Sequence, residues 1–289
     1  MPTGPVVAIT GANGYVGSLL VRGLSTRMRV ISLVRTPTVQ ADRLWHFNMS
    51  EREMAETLQR AQVTHLIHAA WQMQSNGLEE LKRTCVAGTE RLLRAARASG
   101  TVRFIFISTI SAFEGARSAY GRSKLEAESI VRAQGGLVLR LGLVCGTGAR
   151  GVFGTLSALA AWCPVIPLIQ GGSGVQFLLD EDSLSKAVLR AVRGDFAGER
   201  RALTLAHPEP TRLADLMRAL AASHGRKPLL IRIPWRLPYI ALRFTEWCRI
   251  RLPFRSDSLI SFVYQDPEPD FAPLSDHRIE VAPFALLRH

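Results

Sequence analysis

The stretch Val6-Val7-Ala8-Ile9-Thr10-Gly11-Ala12-Asn13-Gly14-Tyr15-Val16-Gly17 decides how the chain is read. An apolar run feeds a glycine-rich turn, and Ser18-Leu19-Leu20-Val21 carries the turn onward as a helix. Glycines at intervals of three let the backbone turn sharply, approach a pyrophosphate closely and seat the new helix against a sheet. The amides at the helix start are ready donors to phosphate. A glycine triplet alone also suits a purely structural turn. Its place at the first strand-to-helix junction of an alternating series favours dinucleotide binding, with Gly11, Asn13, Gly14, Tyr15, Val16 and Gly17 as candidate contacts.

Working outward, the 289 residues, 47% of them hydrophobic, are ample for a real core in one large or two smaller domains. The net charge of +12 comes from 36 basic against 24 acidic residues, with the arginines scattered and no basic run of the kind that marks a nucleic-acid arm. Such a field favours phosphorylated ligands or an anionic membrane surface. Cys85, Cys145, Cys163 and Cys248 stand far apart, so neither a metal site nor a disulfide framework is expected. A reducing cytoplasm fits, and the N-terminus does not read as a secretory signal. The uncharged stretch Val152–Leu168 approaches the length of a membrane span, but Pro164 and Pro167 break it, which favours a buried or pocket-lining helix.

The run Arg29–Val34 reads as a second strand, with Arg35 at its carboxyl end. An acid there would hold the ribose hydroxyl of NAD, whereas an arginine can pair with the additional phosphate of NADP, so NADP(H) is expected over NAD(H). An ordinary surface arginine is the alternative. Leu44–Met49 is expected as a third strand, Glu51–Ala61 as a helix, and Val63–Ala70 as a fourth strand whose small last residues, Ala69 and Ala70, admit a cofactor close to the backbone. His65 and His68 lack an acidic partner at a telling spacing and read as structural or as cofactor wall. Leu78–Ser99 has the period of one amphipathic helix, stopped by Gly100. The apolar run Val102–Ile107 is the type expected of a buried parallel strand and ends in Ser108-Thr109-Ile110-Ser111, where ligands meet doubly wound sheets. In the next helix Tyr120 and Lys124 stand four apart and share a face. A nearby ammonium lowers a tyrosine pKa and makes the phenol an acid-base group for a carbonyl/alcohol pair, although an exposed Tyr and Lys on one helix is a common arrangement.

This order of glycine loop, hydroxyl-ended strand and YxxxK resembles the short-chain dehydrogenase/reductase superfamily, and the TGxxGxxG form its extended branch, the NAD-dependent epimerase/dehydratase family. His68-Ala69-Ala70, Val86-Ala87-Gly88-Thr89, the strand Leu137–Arg140 leading to Gly146, and Pro210-Thr211-Arg212-Leu213 agree, so the resemblance runs from about residue 6 to 230. It implies an α/β fold with a Rossmann-type doubly wound parallel sheet in 1–148, a return of 175–195 to that domain, and a smaller substrate-binding region in the rest of 149–289. It also implies that Thr109 hydrogen-bonds the substrate oxygen, that Tyr120 exchanges the proton, and that Lys124 holds the nicotinamide ribose and depresses the tyrosine pKa. Asn48, Met49, Ala69, Ala70 and Leu141 complete the implied cofactor set. Departures from the family pattern fall on Asn48, in place of an acid that binds adenine, on Cys85, in place of an asparagine, and on Phe113-Glu114, in place of Tyr-Gly. Leu143 stands where many nucleotide-sugar epimerases and dehydratases have an asparagine for the substrate pyrophosphate. The resulting expectation is an NAD(P)-dependent oxidoreductase acting on a small ketone or alcohol, such as a (nucleotide-)sugar or related polyol. The alternatives are a nucleotide-sugar C4 epimerase or dehydratase with retained NAD, and a non-catalytic NADP(H)-binding sensor or assembly factor. A homodimer is the usual prior.

In the second half, Gly171–Gly174 marks a loop before an expected strand Val175–Leu179. Asp180, Glu181 and Asp182 open a helix and read as caps rather than metal ligands. Leu237–Leu252 shows a basic amphipathic pattern, with Leu237, Ile240, Phe244 and Trp247 apolar and Arg236, Arg243 and Arg249 beside them. Docking of that apolar side on the protein's own small domain is expected, with contact to an anionic membrane as the less favoured alternative. The proline-rich tail from Asp266 is expected as loops.

Overall fold

The computed structural model describes residues 4–34, 43–44 (backbone only), 49–72, 77–146, 148–169, 172–250, 252 and 254–284. In the first half, strands and helices alternate as β1 (Val6–Thr10), α1 (Tyr15–Ser25), β2 (Arg29–Val34), β3 (Arg43–Leu44), α2 (Glu51–Arg60), β4 (His65–His68), α3 (Leu78–Leu81) and α4 (Ala87–Ala98). There follow β5 (Arg103–Thr109), α5 (Ala119–Ala133), β6 (Leu137–Leu141) and β7 (Leu143–Cys145). The remainder comprises α6 (Gly151–Trp162), β8 (Val165–Ile169), β9 (Val175–Gln176), β10 (Leu178–Asp180), α7 (Glu181–Arg193), β11 (Leu203–Leu205), β12 (Thr211–Arg212), α8 (Leu213–Ser223), β13 (Leu229–Ile233), α9 (Arg236–Trp247), α10 (Ser256–Val263) and α11 (Ala272–Asp276).

Seven strands form one parallel sheet in the order β11-β6-β5-β4-β1-β2-β3, so the order reverses between β1 and β4. Strand alternation feeds a core on each face. Val7 and Ile9 point with Ile67, Ile105 and Leu139 towards α1 and α7, while Val6 and Ala8 point with Leu66, Phe104 and Phe106 towards α2, α4 and α5. The chain is thus α/β with a Rossmann-type doubly wound sheet. A third core joins α6 and α8 with β8, through Phe153, Ile166, Leu168, Leu216 and Leu220.

Several elements depart from the expectations. The third strand is described only at Arg43–Leu44, and residues 45–48 of the expected run lie outside the described residues. The helix expected over Leu78–Ser99 is one helical run interrupted by a π-turn at Lys82–Val86, which accommodates one extra residue. The strand expected over Val175–Leu179 is split at Phe177, whose carbonyl leaves the ladder of β9 to accept from Leu143 N at 2.8 Å. The uncharged stretch folds as α6 followed by β8, and no helix among the described residues is long and apolar enough to cross a membrane.

One buried ion pair fixes α5 on the sheet. Glu128 is 0% exposed and takes a bidentate grip from Arg140 of β6, with the Arg140 Nη2 at 2.7 Å and Nε at 3.0 and 3.1 Å. Ser108 Oγ of β5 donates to the same carboxylate at 2.5 Å. Removing one partner from a buried pair strands the other charge. Arg140→Met is therefore expected to cost about 3–5 kcal/mol of stability by urea unfolding. A loss below about 1 kcal/mol, the worth of a surface pair, would mean that Glu128 does not depend on Arg140.

Candidate active site

The groove begins where β1 ends. Gly11 takes φ +71, and a Cβ there would lie 2.7 Å from Ala70 N. A Cβ on Gly17 would lie 2.1 Å from Gly11 O. Both obstacles are backbone, so only glycine lets the loop close against β4 and against α1. Helix α1 starts from Gly14 with no side-chain cap and no acid in its first turn, which leaves its positive end for an anion. A groove of about 660 Å³ crosses this point, the reversal of strand order at which doubly wound sheets bind ligands. Its size, its glycine cradle and its uncapped helix end fit a dinucleotide.

Gly11, Asn13, Gly14, Tyr15, Val16, Gly17, Ala69, Ala70, Lys124 and Leu141 all line this groove. Met49 does not; it packs against the core beneath α2 and α4. Arg35 and Asn48 lie outside the described residues. The Tyr15 hydroxyl donates to Glu181 Oε1 at 2.9 Å, and burial together with that carboxylate raises its pKa. Glu181 thereby ties α7 to the glycine loop, while Asp180 caps α7 by accepting from Ser183 N at 2.9 Å.

His68 is buried, and burial, reinforced by Lys124, pushes its pKa down to about 3, so the imidazole is neutral. Thr89 Oγ1 donates to Cys85 O at 2.8 Å and so accepts from His68 Nε2 at 3.1 Å. That leaves Nδ1 to accept from Thr10 Oγ1 at 2.7 Å, while Thr10 Oγ1 itself accepts from Ala70 N at 3.2 Å. The tautomer follows from these partners. A neutral imidazole held at both nitrogens serves as groove wall.

Thr109 ends β5, and Tyr120 is the second residue of α5. The Ser118 side chain caps α5 by accepting from Gly121 N at 3.0 Å. Thr109 lies close enough to the Tyr120 hydroxyl to act on its pKa. The pKa effect expected of Lys124 on Tyr120 does not appear. Burial pushes the phenol up to about 12, opposed by Thr109, and Lys124 is not among the causes. The ammonium is engaged elsewhere: Lys124 Nζ donates to Ile107 O at 2.6 Å and lies 4.0 Å from the centre of the Trp71 ring and 4.5 Å from that of Phe106. Burial lowers its pKa to about 7, against smaller upward effects of Cys85 and Glu128.

A second cavity of about 390 Å³ opens beside the groove, and Gln72, Thr109, Tyr120, Leu141 and Gly142 belong to the walls of both. Leu143 lines this second cavity with Leu81, Ile110 and Val152, and Arg117, Arg243 and Arg255 add positive charge. Gln176 is 2% exposed, and its Nε2 has no hydrogen-bond partner among the described residues, leaving a donor in the cavity wall.

Sequence reasoning missed Trp71, Gln176 and Asp257. Asp257 of α10 accepts from Ala119 N at 2.7 Å and from Tyr120 N at 3.0 Å, so a residue far along the chain holds the first turn of α5. Ser261 adds a hydrogen bond to Ser118 at 2.7 Å. No local motif signals such a contact, because its spacing of 137 residues is set by the tertiary fold.

Two outcomes follow from this geometry. In the folded protein the Lys124 pKa of about 7 lies below its ordinary 10.5, so the unfolded chain binds the proton more tightly. The resulting penalty is complete below about pH 7 and fades as pH rises towards 10.5. Lys124→Met should therefore gain in melting temperature relative to the parent most at neutral pH and progressively less up to about pH 10; a difference constant across that window would contradict the lowered pKa. Asp257→Ala should cost about 0.5–2 kcal/mol, as lost helix caps do. It should slow turnover with affinity for the nicotinamide dinucleotide unchanged, whereas an equal loss in both would indicate general unfolding.

The family model described as NAD dependent epimerase/dehydratase family matches residues 7–163. A ceramide reductase of Caulobacter vibrioides (strain NA1000 / CB15N) is 34% identical over 248 residues, which cover 79% of this chain and 74% of that protein. A 3-diazoavenalumate denitrifying reductase of a Streptomyces species is 28% identical over 273 residues, 83% of this chain and 87% of that one. Among solved structures, the UDP-N-acetylglucosamine 4-epimerase of Bacillus cereus shares the fold, with a TM-score of 0.69 at 18% identity over 80% of this chain and 86% of its own. The chain belongs to the NAD dependent epimerase/dehydratase family and is an oxidoreductase of the extended short-chain dehydrogenase/reductase type.

Proposed function

We propose that the protein is a ketone reductase that exchanges NADPH at each turnover, with Thr109, Tyr120 and Lys124 as its catalytic residues. The observation that carries this reading is the position of Thr109 and Tyr120 on the wall common to the dinucleotide groove and the second cavity. A carbonyl in the second cavity can meet both hydroxyls there. Bound in the groove, the nicotinamide supplies the hydride. Thr109 orients the substrate oxygen, and Tyr120 gives its proton to that oxygen as the alcohol forms.

The proton is in place for ketone reduction. With its pKa at about 12 the phenol is protonated at neutral pH, ready to donate but poor as a base. An alkoxide is a stronger base than a phenolate, so the transfer runs downhill. Lys124, behind the phenol in the groove wall, holds the ribose and supplies positive charge. Arg35 pairs with the adenosine phosphate of NADPH. The part of 149–289 outside 175–195 supplies the far wall of the substrate cavity.

Two features bear on the substrate. Leu143 leaves an apolar wall where a pyrophosphate-binding asparagine would stand, and the Gln176 amide offers a buried donor. Both suit a ketone flanked by hydroxyl or amide groups and joined to an apolar portion. The Caulobacter relative, named for an amphiphilic substrate, and the sugar-directed epimerase bracket that range.

The test is native mass spectrometry of the purified protein, followed by titration with NADPH and NADH. An empty site that prefers NADPH, with Arg35→Ala erasing the preference and Tyr120→Phe abolishing turnover of a keto-substrate while leaving NADPH binding intact, is the expected result. NAD retained through dilution would replace this reading with an epimerase or dehydratase that recycles its cofactor. NADPH binding without turnover of any ketone tried, and without effect of Tyr120→Phe, would point instead to a non-catalytic sensor.

A further inference from the structure

Helix α9 has no buried residue. Leu237, Ile240, Phe244 and Trp247, at three- and four-residue steps along one side, are 59%, 63%, 60% and 79% exposed. The expected docking of this side on the protein's own small domain is therefore not what the chain does. The opposite side is the one that meets the protein: Tyr239 and Glu246 line the second cavity, and Glu246 accepts from Ser256 N and Oγ at 2.8 and 2.9 Å. The apolar side is turned outward.

The ribbon that precedes α9 in the chain also exposes apolar side chains. Val165 of β8 and Leu229 of β13 are neighbours in register, and both are exposed, as are Ile231 and, at the end of α6, Trp162. From 226 to 250 the exposed side chains include Arg226, Lys227, Arg232, Arg236, Arg243 and Arg249. The one acid in that span, Glu246, is turned inward with its side chain 15% exposed. The span thus exposes aliphatic and aromatic groups set among cations, with no outward acid, a surface that water does not favour.

We infer that this face docks on an anionic lipid surface, with Leu237, Ile240, Phe244 and Trp247 at the level of the headgroups and acyl chains and the cations against lipid phosphates. A second copy is the weaker occupant, since a two-fold contact through this face would set the same cations against one another. Each Lys or Arg near such a surface strengthens partitioning about fivefold. Because Tyr239, Arg243 and Glu246 of α9 also line the substrate cavity, docking brings that cavity to the bilayer surface. The docking stands on the exposed face alone. Only its consequence, that an amphiphilic ketone reaches Tyr120 from lipid, rests on the reductase reading.

The experiment is co-sedimentation of the full chain with vesicles of phosphatidylcholine alone or mixed with phosphatidylglycerol, with NADPH affinity measured in parallel. The parent should pellet with the anionic vesicles, be released by high salt, and show a blue shift of tryptophan fluorescence. The double variant Phe244→Glu/Trp247→Glu should partition at least about tenfold more weakly, with melting temperature and NADPH affinity unchanged. Failure of the parent to bind anionic vesicles, or parent-like binding by the double variant, overturns the inference. So does a concentration-dependent dimer, seen by sedimentation velocity, that the double variant dissolves. Loss of NADPH binding in the parent would count against the reductase reading and leave the docking result to stand on its own.

Discussion

A carboxylate withdrawn from water is tolerable only when both oxygens are engaged, and Glu128 meets this condition through the fork of Arg140 and the hydroxyl of Ser108. The requirement fixes more than one side chain. Glu128 lies four residues beyond Lys124 and eight beyond Tyr120 on α5, whereas Ser108 and Arg140 are register partners on adjacent strands. Anchoring the carboxylate therefore fixes the rotation of α5 over β5 and β6. Thr109, next to Ser108, and Tyr120, two turns before Glu128, come to the same stretch of groove wall under that anchor. The hydroxyls of Thr109 and Tyr120 thus take their relative position from an ion pair outside both cavities.

Lys124 stands under the opposite constraint. The residue is 3% exposed, and its ammonium has a backbone carbonyl and two aromatic faces for company and a pKa lowered to about 7 by burial. A cation so placed weakens the fold at neutral pH, and packing alone gives no reason to keep it there. Such a group is the expected cost of a site in which charge must act without water. His68, equally buried but neutral and satisfied at both ring nitrogens, shows how the same groove treats a residue whose work is structural.

The first half of the chain was legible because its signals are local. Buried parallel strands announce themselves as apolar runs, and Gly11 and Gly17 are required by backbone contacts a few residues away or on the next strand. Tyr120 and Lys124 could be paired by helical spacing, but not the direction in which Lys124 points: Ile107 and Trp71 reach it through the fold, and no spacing encodes them. The π-turn at Lys82–Val86 was illegible because one inserted residue leaves the apolar pattern nearly intact. For α9 the period was read correctly and the facing wrongly. A helix carries the same moment whether its apolar side meets protein or lipid, so periodicity cannot choose between them.

Asp257 shows how the second half of the chain enters the chemistry. The first-turn amides of α5 need acceptors, and two of them are met by a carboxylate from α10, in the segment that also walls the second cavity. Ser256, beside it, is held by Glu246 of α9, and Arg255 leans on the same carboxylate at 3.3 Å. Hydrogen bonds between Glu246 of α9 and Ser256, and between the next residue in the chain, Asp257, and the backbone of Ala119 and Tyr120, thus connect α9 with the start of α5. Whatever displaces α9 bears on the turn that carries the phenol, and whatever fills the cavity bears on α9 through Tyr239 and Arg243. The sheet frames the groove, and the position of Tyr120 is shared between that frame and a C-terminal segment whose outer face is exposed.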